Sequence, residues 1–218
     1  MIVHITNGIY FNAWLMKKTG IQSIPFNEAM MSGSATEGPF DEEFICHRAG
    51  VHHISKEDYR INMKSFFDVI NQLYQVDELV LWFGVDAFCQ MNLLTIYQVL
   101  KQHNYQGVVK TVLFDENEPW DRILYQKSVK TNWETMTDLY HKVLVERKSS
   151  ECDDAMMKRA IQLYLDLHDE NGRLNQLIRQ YPLMSETELI QVLMEHSKEE
   201  GLSDVQALEM IRNVRKVK

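Results

Sequence analysis

Cysteine is scarce in this chain: Cys46, Cys89 and Cys152 are odd in number and widely separated. No disulfide framework is implied, and a reduced, cytoplasmic setting is the expectation. Long apolar runs are also missing. Met1 leads straight into the strand-like Ile2–Thr6 rather than into a basic segment followed by an apolar stretch. That argues against a membrane protein and against a secretory leader. Positive charge is in short supply too, with a formal net charge of -8. Nucleic acid is disfavoured as a partner, because phosphate binding rests on clustered Lys and Arg. Only the tail Arg212–Lys218 is locally basic, and such tails are usually solvated. No internal repeat or low-complexity tract is present.

Several chemical signatures are absent as well. The chain has no three-glycine dinucleotide fingerprint and no phosphate loop ending in Lys and Ser or Thr. Ser32-Gly33-Ser34 lacks the frame of a nucleophile elbow. Cys46-His47 and His52-His53 have none of the spacings by which zinc ligands close a tetrahedron, so no metal is expected. Cys89 falls within an apolar helix and reads as a small hydrophobe. The sequence therefore names no cofactor and no reaction.

What is present is an ordinary globular composition, 45% hydrophobic and 25% charged, organised around Asp77–Leu94. There the apolar run Leu79–Phe83 suits a strand buried on both faces. Gly84 permits a turn, and Asp86 stands at the N-cap of a buried helix that reaches Leu100, with Gln90 one turn on. Ile2–Thr6, Ile21–Phe26 and Val108–Phe114 supply three more strands. Asn7-Gly8 marks a tight turn in which both residues tolerate positive φ. Pro25 is tolerated only at a strand end or on an edge. Met31–Pro39, small and glycine-rich, reads as a mobile loop. Beyond Pro119 no strand is evident and the pattern is helical, with one or two helices in residues 123–148 and a capping box at Ser185–Glu188. The fold expected is an open, mostly parallel, three-layer α/β sheet, Rossmann-like or flavodoxin-like, over residues 1–120. An all-helical region over 121–218 follows it.

In a parallel sheet the strand ends line one rim, and ligands bind where the strand order reverses. An order 2-1-3-4 brings Asn7 and Gly8 near Gly84 and Asp86. His4, Asn7, Gly8, Glu28, Arg48, Trp82, Gly84, Asp86 and Gln90 are therefore the candidate ligand-binding residues. Several have a plainer reading. Asn7-Gly8 can be a simple turn and Asp86 a pure cap, Glu28 a solvated carboxylate, and Arg48 the partner of Glu28 rather than of an anion. The ligand expected is small and phosphorylated or nucleotide-like. The competing reading is a regulatory protein that meets a protein partner through its C-terminal helices, around Leu189–Ser197 and Ser203–Arg215.

His4-Ile5-Thr6-Asn7-Gly8, Asn27-Glu28 with Gly38-Pro39, and Leu81–Leu94 together resemble a bacterial family of uncharacterised proteins, domain of unknown function 1835. The family pattern has a His-Ile-x-Asn-Gly opening, usually followed by Asp, and a Leu-Trp-Phe-x-x-Asp-x-Phe-x-Gln block. The resemblance covers roughly the first half of the chain and implies an α/β fold with a pocket at the strand ends. It implies no activity. Ile9 stands where the opening Asp is usual, so a shared site using that Asp would be altered here.

Overall fold

The computed structural model describes residues 1–115 and 118–216; Glu116, Asn117 and the tail end Val217-Lys218 lie outside them. The sheet is built from β1 (Ile2–Asn7), β2 (Ser23–Phe26), β3 (Glu78–Gly84), β4 (Val108–Phe114) and β5 (Val129–Lys130). Its order is β2-β1-β3-β4-β5. The first four strands run parallel, so their C-terminal ends form one rim. Pro25 sits on the edge strand β2, where the sheet needs no amide from it.

β5 is antiparallel and pairs Lys130 with Lys110 and Val129 with Thr111. It corrects the expectation of an all-helical region after residue 120. A two-residue strand is too short to show the alternation by which strands are read. Its pairing is reinforced by a 2.9 Å hydrogen bond between the Thr111 and Thr131 hydroxyls. Residues 120–148 are also less regular than expected. They form two 3₁₀ turns (Trp120–Tyr125 and Trp133–Met136), the single turn α5 (Thr137–Leu139), and a π-helix at Tyr140–Val145.

Alternation along the strands divides the core into two layers. Val3, Ile5, Leu79, Leu81, Phe83 and Val109 face the larger side. That side is covered by α2 (Glu42–Val51), α3 (Lys56–Ile70), α4 (Ala87–Gln102) and α6 (Ala155–His168). Val80, Trp82, Val112 and Phe114 face the other side, under α1 (Gly8–Thr19) and the turn at Trp120–Tyr125. There Phe11 stacks on Phe114 at 4.7 Å and meets Trp120 edge-on at 5.4 Å. The apolar character of α4 all round now has its cause. One side lies on the sheet and the other meets α6 and the π-helix, so even Asn92 and Thr95 are fully buried. Trp133, Tyr140, Leu144, Ile161 and Tyr164 belong to the same core as the strands.

The last three helices, α7 (Arg173–Gln180), α8 (Glu186–His196) and α9 (Asp204–Lys216), enclose a smaller core of their own around Leu174, Ile178, Leu189, Leu193 and Ile211. The Ser185 capping box is formed. Truncating Leu94, fully buried in α4, leaves a cavity in the main core. Leu94→Ala is expected to lower unfolding free energy by about 2–5 kcal/mol, measured by urea denaturation, with the urea dependence unchanged.

Candidate functional site

The nine residues chosen from sequence fall into three groups. His4 and Trp82 point to the α1 side of the sheet, where the Trp82 indole N–H donates to His4 Nδ1 at 3.0 Å. Burial lowers the pKa of His4, with Glu78 opposing. The remaining residues with site-forming side chains lie elsewhere.

Asn7, Glu28 and Arg48 form the second group, on the α4 side. The joining residue is Asn92, which the sequence reading did not single out. Its amide donates to Asn7 Oδ1 at 3.0 Å and to the Glu28 carbonyl at 2.8 Å, and its oxygen accepts from the Met30 amide at 3.0 Å. The signal was there: a lone Asn in the middle of a helix apolar all round must find partners inside the protein. Asn7 donates in turn to Cys89 Sγ at 3.0 Å. Asn7 itself is extended, with φ -74. Only Gly8, at φ +78, takes the left-handed conformation, and it opens α1 directly.

Glu28 is not a solvated carboxylate but is 3% exposed, against a fully buried Arg48. Arg48 Nη2 approaches Glu28 Oε1 at 2.7 Å and Nε at 3.2 Å, and His52 Nε2 lies at 2.6 Å from the same oxygen. Tyr59 donates to Oε2. Burial alone would raise the Glu28 carboxyl, but the Arg48 and His52 charges and hydrogen bonds outweigh it and hold it well below the usual carboxylate range. Arg48 also donates to the carbonyls of Ala29 (2.9 Å), Ser32 (2.6 Å) and Ser34 (3.1 Å). Those bonds engage all of the N–H groups a guanidinium has, so the geometry assigns Arg48 to architecture. The loop expected to be mobile is fastened instead. Further ties run from Tyr140 to the Thr36 carbonyl (2.8 Å), from Arg147 to the Gly33 carbonyl (2.8 Å) and from the Ala35 amide to the Leu144 carbonyl (3.3 Å).

Gly84, Asp86 and Gln90 are the third group. Asp86 caps α4 through the Cys89 amide at 2.9 Å, and Gln90 donates to the Gly84 carbonyl at 2.8 Å. The connection from α8 to α9 lies over them. Glu199 and Glu200 carbonyls accept from the Ala87 and Phe88 amides at 2.8 and 3.0 Å. The positive end of α4 is therefore filled by the chain's own oxygens rather than left for an anion. Burial raises the Asp86 carboxyl despite the amides donating to it.

A concavity lined by both charged and apolar side chains lies elsewhere, beside the chain leaving the rim end of β2. It has a volume of about 390 Å³ and is walled by Met31–Gly33, Arg147, the end of α6, and α7 and α9. None of the nine sequence-chosen residues lines it. Arg147, Arg179, His168, Asn175, Gln206 and Asn213 supply its polar wall, and Glu170 and Glu209 its acidic one. The apolar floor is Met31, Leu167, Leu202, Met210 and Val214. His168 Nε2 is buried with no hydrogen-bond partner, and its ring meets Tyr164 edge-on at 4.5 Å. Burial first, then the Arg147 charge, push His168 down to about 4 from an ordinary 6.5. No spacing in the sequence announces this site, because its residues come from five separate segments. Among the described residues no group of three or more His, Cys, Asp or Glu side chains is placed to hold a metal. None of the helices among them is long and apolar enough to cross a membrane.

Comparison with known proteins returns no matching family model, no similar curated protein and no similar solved structure.

Removing one partner of the buried pair strands the other. Arg48→Met is expected to cost about 3–5 kcal/mol of stability, and adding Glu28→Gln should recover part of that loss. Equal destabilisation of single and double variants in urea would contradict the pairing. The His168 shift has a definite sign. Because its folded pKa is depressed, the unfolded chain binds more protons at acid pH. Its contribution is whole above 6.5 and is lost as pH falls toward about 4. The His168 ring signals in NMR should stay in the neutral form at pH 6, and His168→Gln should flatten the stability profile across that window.

Proposed function

We propose that this chain is a small-ligand-binding protein of Rossmann-like, flavodoxin-like architecture that takes a phosphorylated or nucleotide-like molecule in the cavity beside Met31–Gly33. It is also proposed to be a member of the domain of unknown function 1835 family. The observation that carries the reading is the wall itself. Two guanidiniums, Arg147 and Arg179, and three side-chain amides line a concavity with an apolar floor. Its size, about 390 Å³, is within the range of small-molecule sites.

The cavity opens off the loop that follows β2 at the rim, to one side of the β1–β3 reversal. Arg147 and Arg179 each spend one bond on a carbonyl, those of Gly33 and Glu170. Each guanidinium retains donors suited to a phosphate or carboxylate. Glu170 and Glu209 on the same wall complement hydroxyl or amino donors, which a ribose or sugar carries and inorganic phosphate does not. The reading assigns binding and no reaction.

Isothermal titration against AMP, ATP and glucose 6-phosphate tests it. At least one of them is expected to bind, and Arg179→Ala is expected to weaken that binding by about 10–100-fold, the loss of one charged hydrogen-bonding group. Absence of heat and of any shift in Tm with all three compounds would sink the proposal.

A further inference from the structure

We propose that α7, α8 and α9 form a rigid lid over this cavity, hinged after α6 and latched by two backbone carbonyls on the first turn of α4. The proposal rests on the ligand reading above only for what the lid encloses.

The helices carry their own core around Leu174, Leu189, Leu193 and Ile211, so they hold together without the sheet. Leu167, at the end of α6, packs against both that core and the main one, at the point where the chain passes between the two units. Besides the apolar contact at Leu167, the unit is seated by polar contacts. Gln206 Nε2 donates to Ser32 Oγ at 2.7 Å, Arg159 pairs with Glu199, and the Ala87 and Phe88 amides bond the Glu199 and Glu200 carbonyls. Polar seams of this kind exchange their partners for water at little net cost, unlike an apolar core. The cavity straddles that seam. Ser32, Gly33 and Arg147 are on the body side, and Arg179, Gln206 and Asn213 are on the helical side.

The closed latch is also imperfect. Asp86 Oδ2, Glu200 Oε2 and Ser197 Oγ are buried there with no hydrogen-bond partner. Each such atom favours a state in which water reaches it, so the closed arrangement carries a standing incentive to open. The first amides of a helix have no intrahelical acceptor. At Ala87 and Phe88 the acceptors are carbonyls of the lid, with the Asp86 carboxyl also beside the Phe88 amide, so exchange at Ala87 above all reports the opening.

Hydrogen exchange on the full chain decides the matter. Ala87 and Phe88 amides are expected to exchange at least about 100-fold faster than those of Leu93 and Leu94, as sub-global opening does relative to global unfolding. Leu193, inside the lid, should stay slow. Gly201→Ala should speed Ala87 and Phe88 further and leave Leu93 unchanged. Gly201 has φ +71, and a β-carbon there would meet Asp86 Oδ1 at 2.4 Å. Exchange of Ala87 and Phe88 in step with Leu93 in both proteins overturns the lid. So does exchange of Leu193 in step with Ala87, which means local unfolding rather than a hinge. Slowing of the Ala87 and Phe88 amides by AMP supports both readings. Fast exchange that neither AMP nor inorganic phosphate alters leaves the lid standing and removes the proposed ligand.

Discussion

The buried pair of Glu28 and Arg48 is the interaction on which the rim of this protein depends. An uncompensated charge at either position would be costly in so apolar a setting. The chain answers by bringing every neighbour to it: His52 from the end of α2, Tyr59 from α3, and the loop carbonyls of Ala29, Ser32 and Ser34. Asn92 of α4 holds the Glu28 backbone from the sheet side. Four elements that share no sequence periodicity are thereby fixed relative to one another. The loop they fix is the one that forms a wall of the cavity.

A second constraint is the demand of helix N-termini for acceptors. At α4 that demand is met twice over, by the Asp86 side chain and by carbonyls from the α8–α9 connection. At α1 the Asn7 side chain is engaged by Cys89 and Asn92 instead, and no side-chain cap forms. The reversal of strand order between β1 and β3 is real. In this chain, however, its α4 side is closed by the C-terminal helices, and the open concavity is displaced toward the loop after β2.

The sequence made legible what obeys local rules. Leu79–Phe83 as a buried strand, Asp86 as a cap, and Ser185–Glu188 as a capping box are each set by residues within one turn of themselves. What escaped depends on distant partners. Glycine and serine in Met31–Pro39 looked like freedom, yet Arg48 is too far along the chain for its five bonds to be read locally. The same holds for Glu28, whose carboxylate is buried because Arg48, His52 and Tyr59 come to it. β5 escaped for want of length. Arg147, His168 and Arg179 escaped because residues gathered from the segment after the π-helix and from two α-helices have no common spacing.

Arg147 shows how such a gathering is held. It follows the π-helix Tyr140–Val145 and has φ +53, a conformation a long side chain adopts only when its surroundings impose it. Here they do: the π-helix presents the Leu144 carbonyl to Ala35 and the Tyr140 hydroxyl to Thr36, and Arg147 itself reaches the Gly33 carbonyl. A regular α-helix over the same residues would rotate those groups away from the loop by the extra residue a π-turn inserts. Strain of this kind, of order 1–3 kcal/mol, persists where the remaining contacts over-determine it. One of those contacts, from Arg147 to the Gly33 carbonyl, lies in the wall of the cavity, so a bond that opposes the strain also keeps the guanidinium at the cavity's edge.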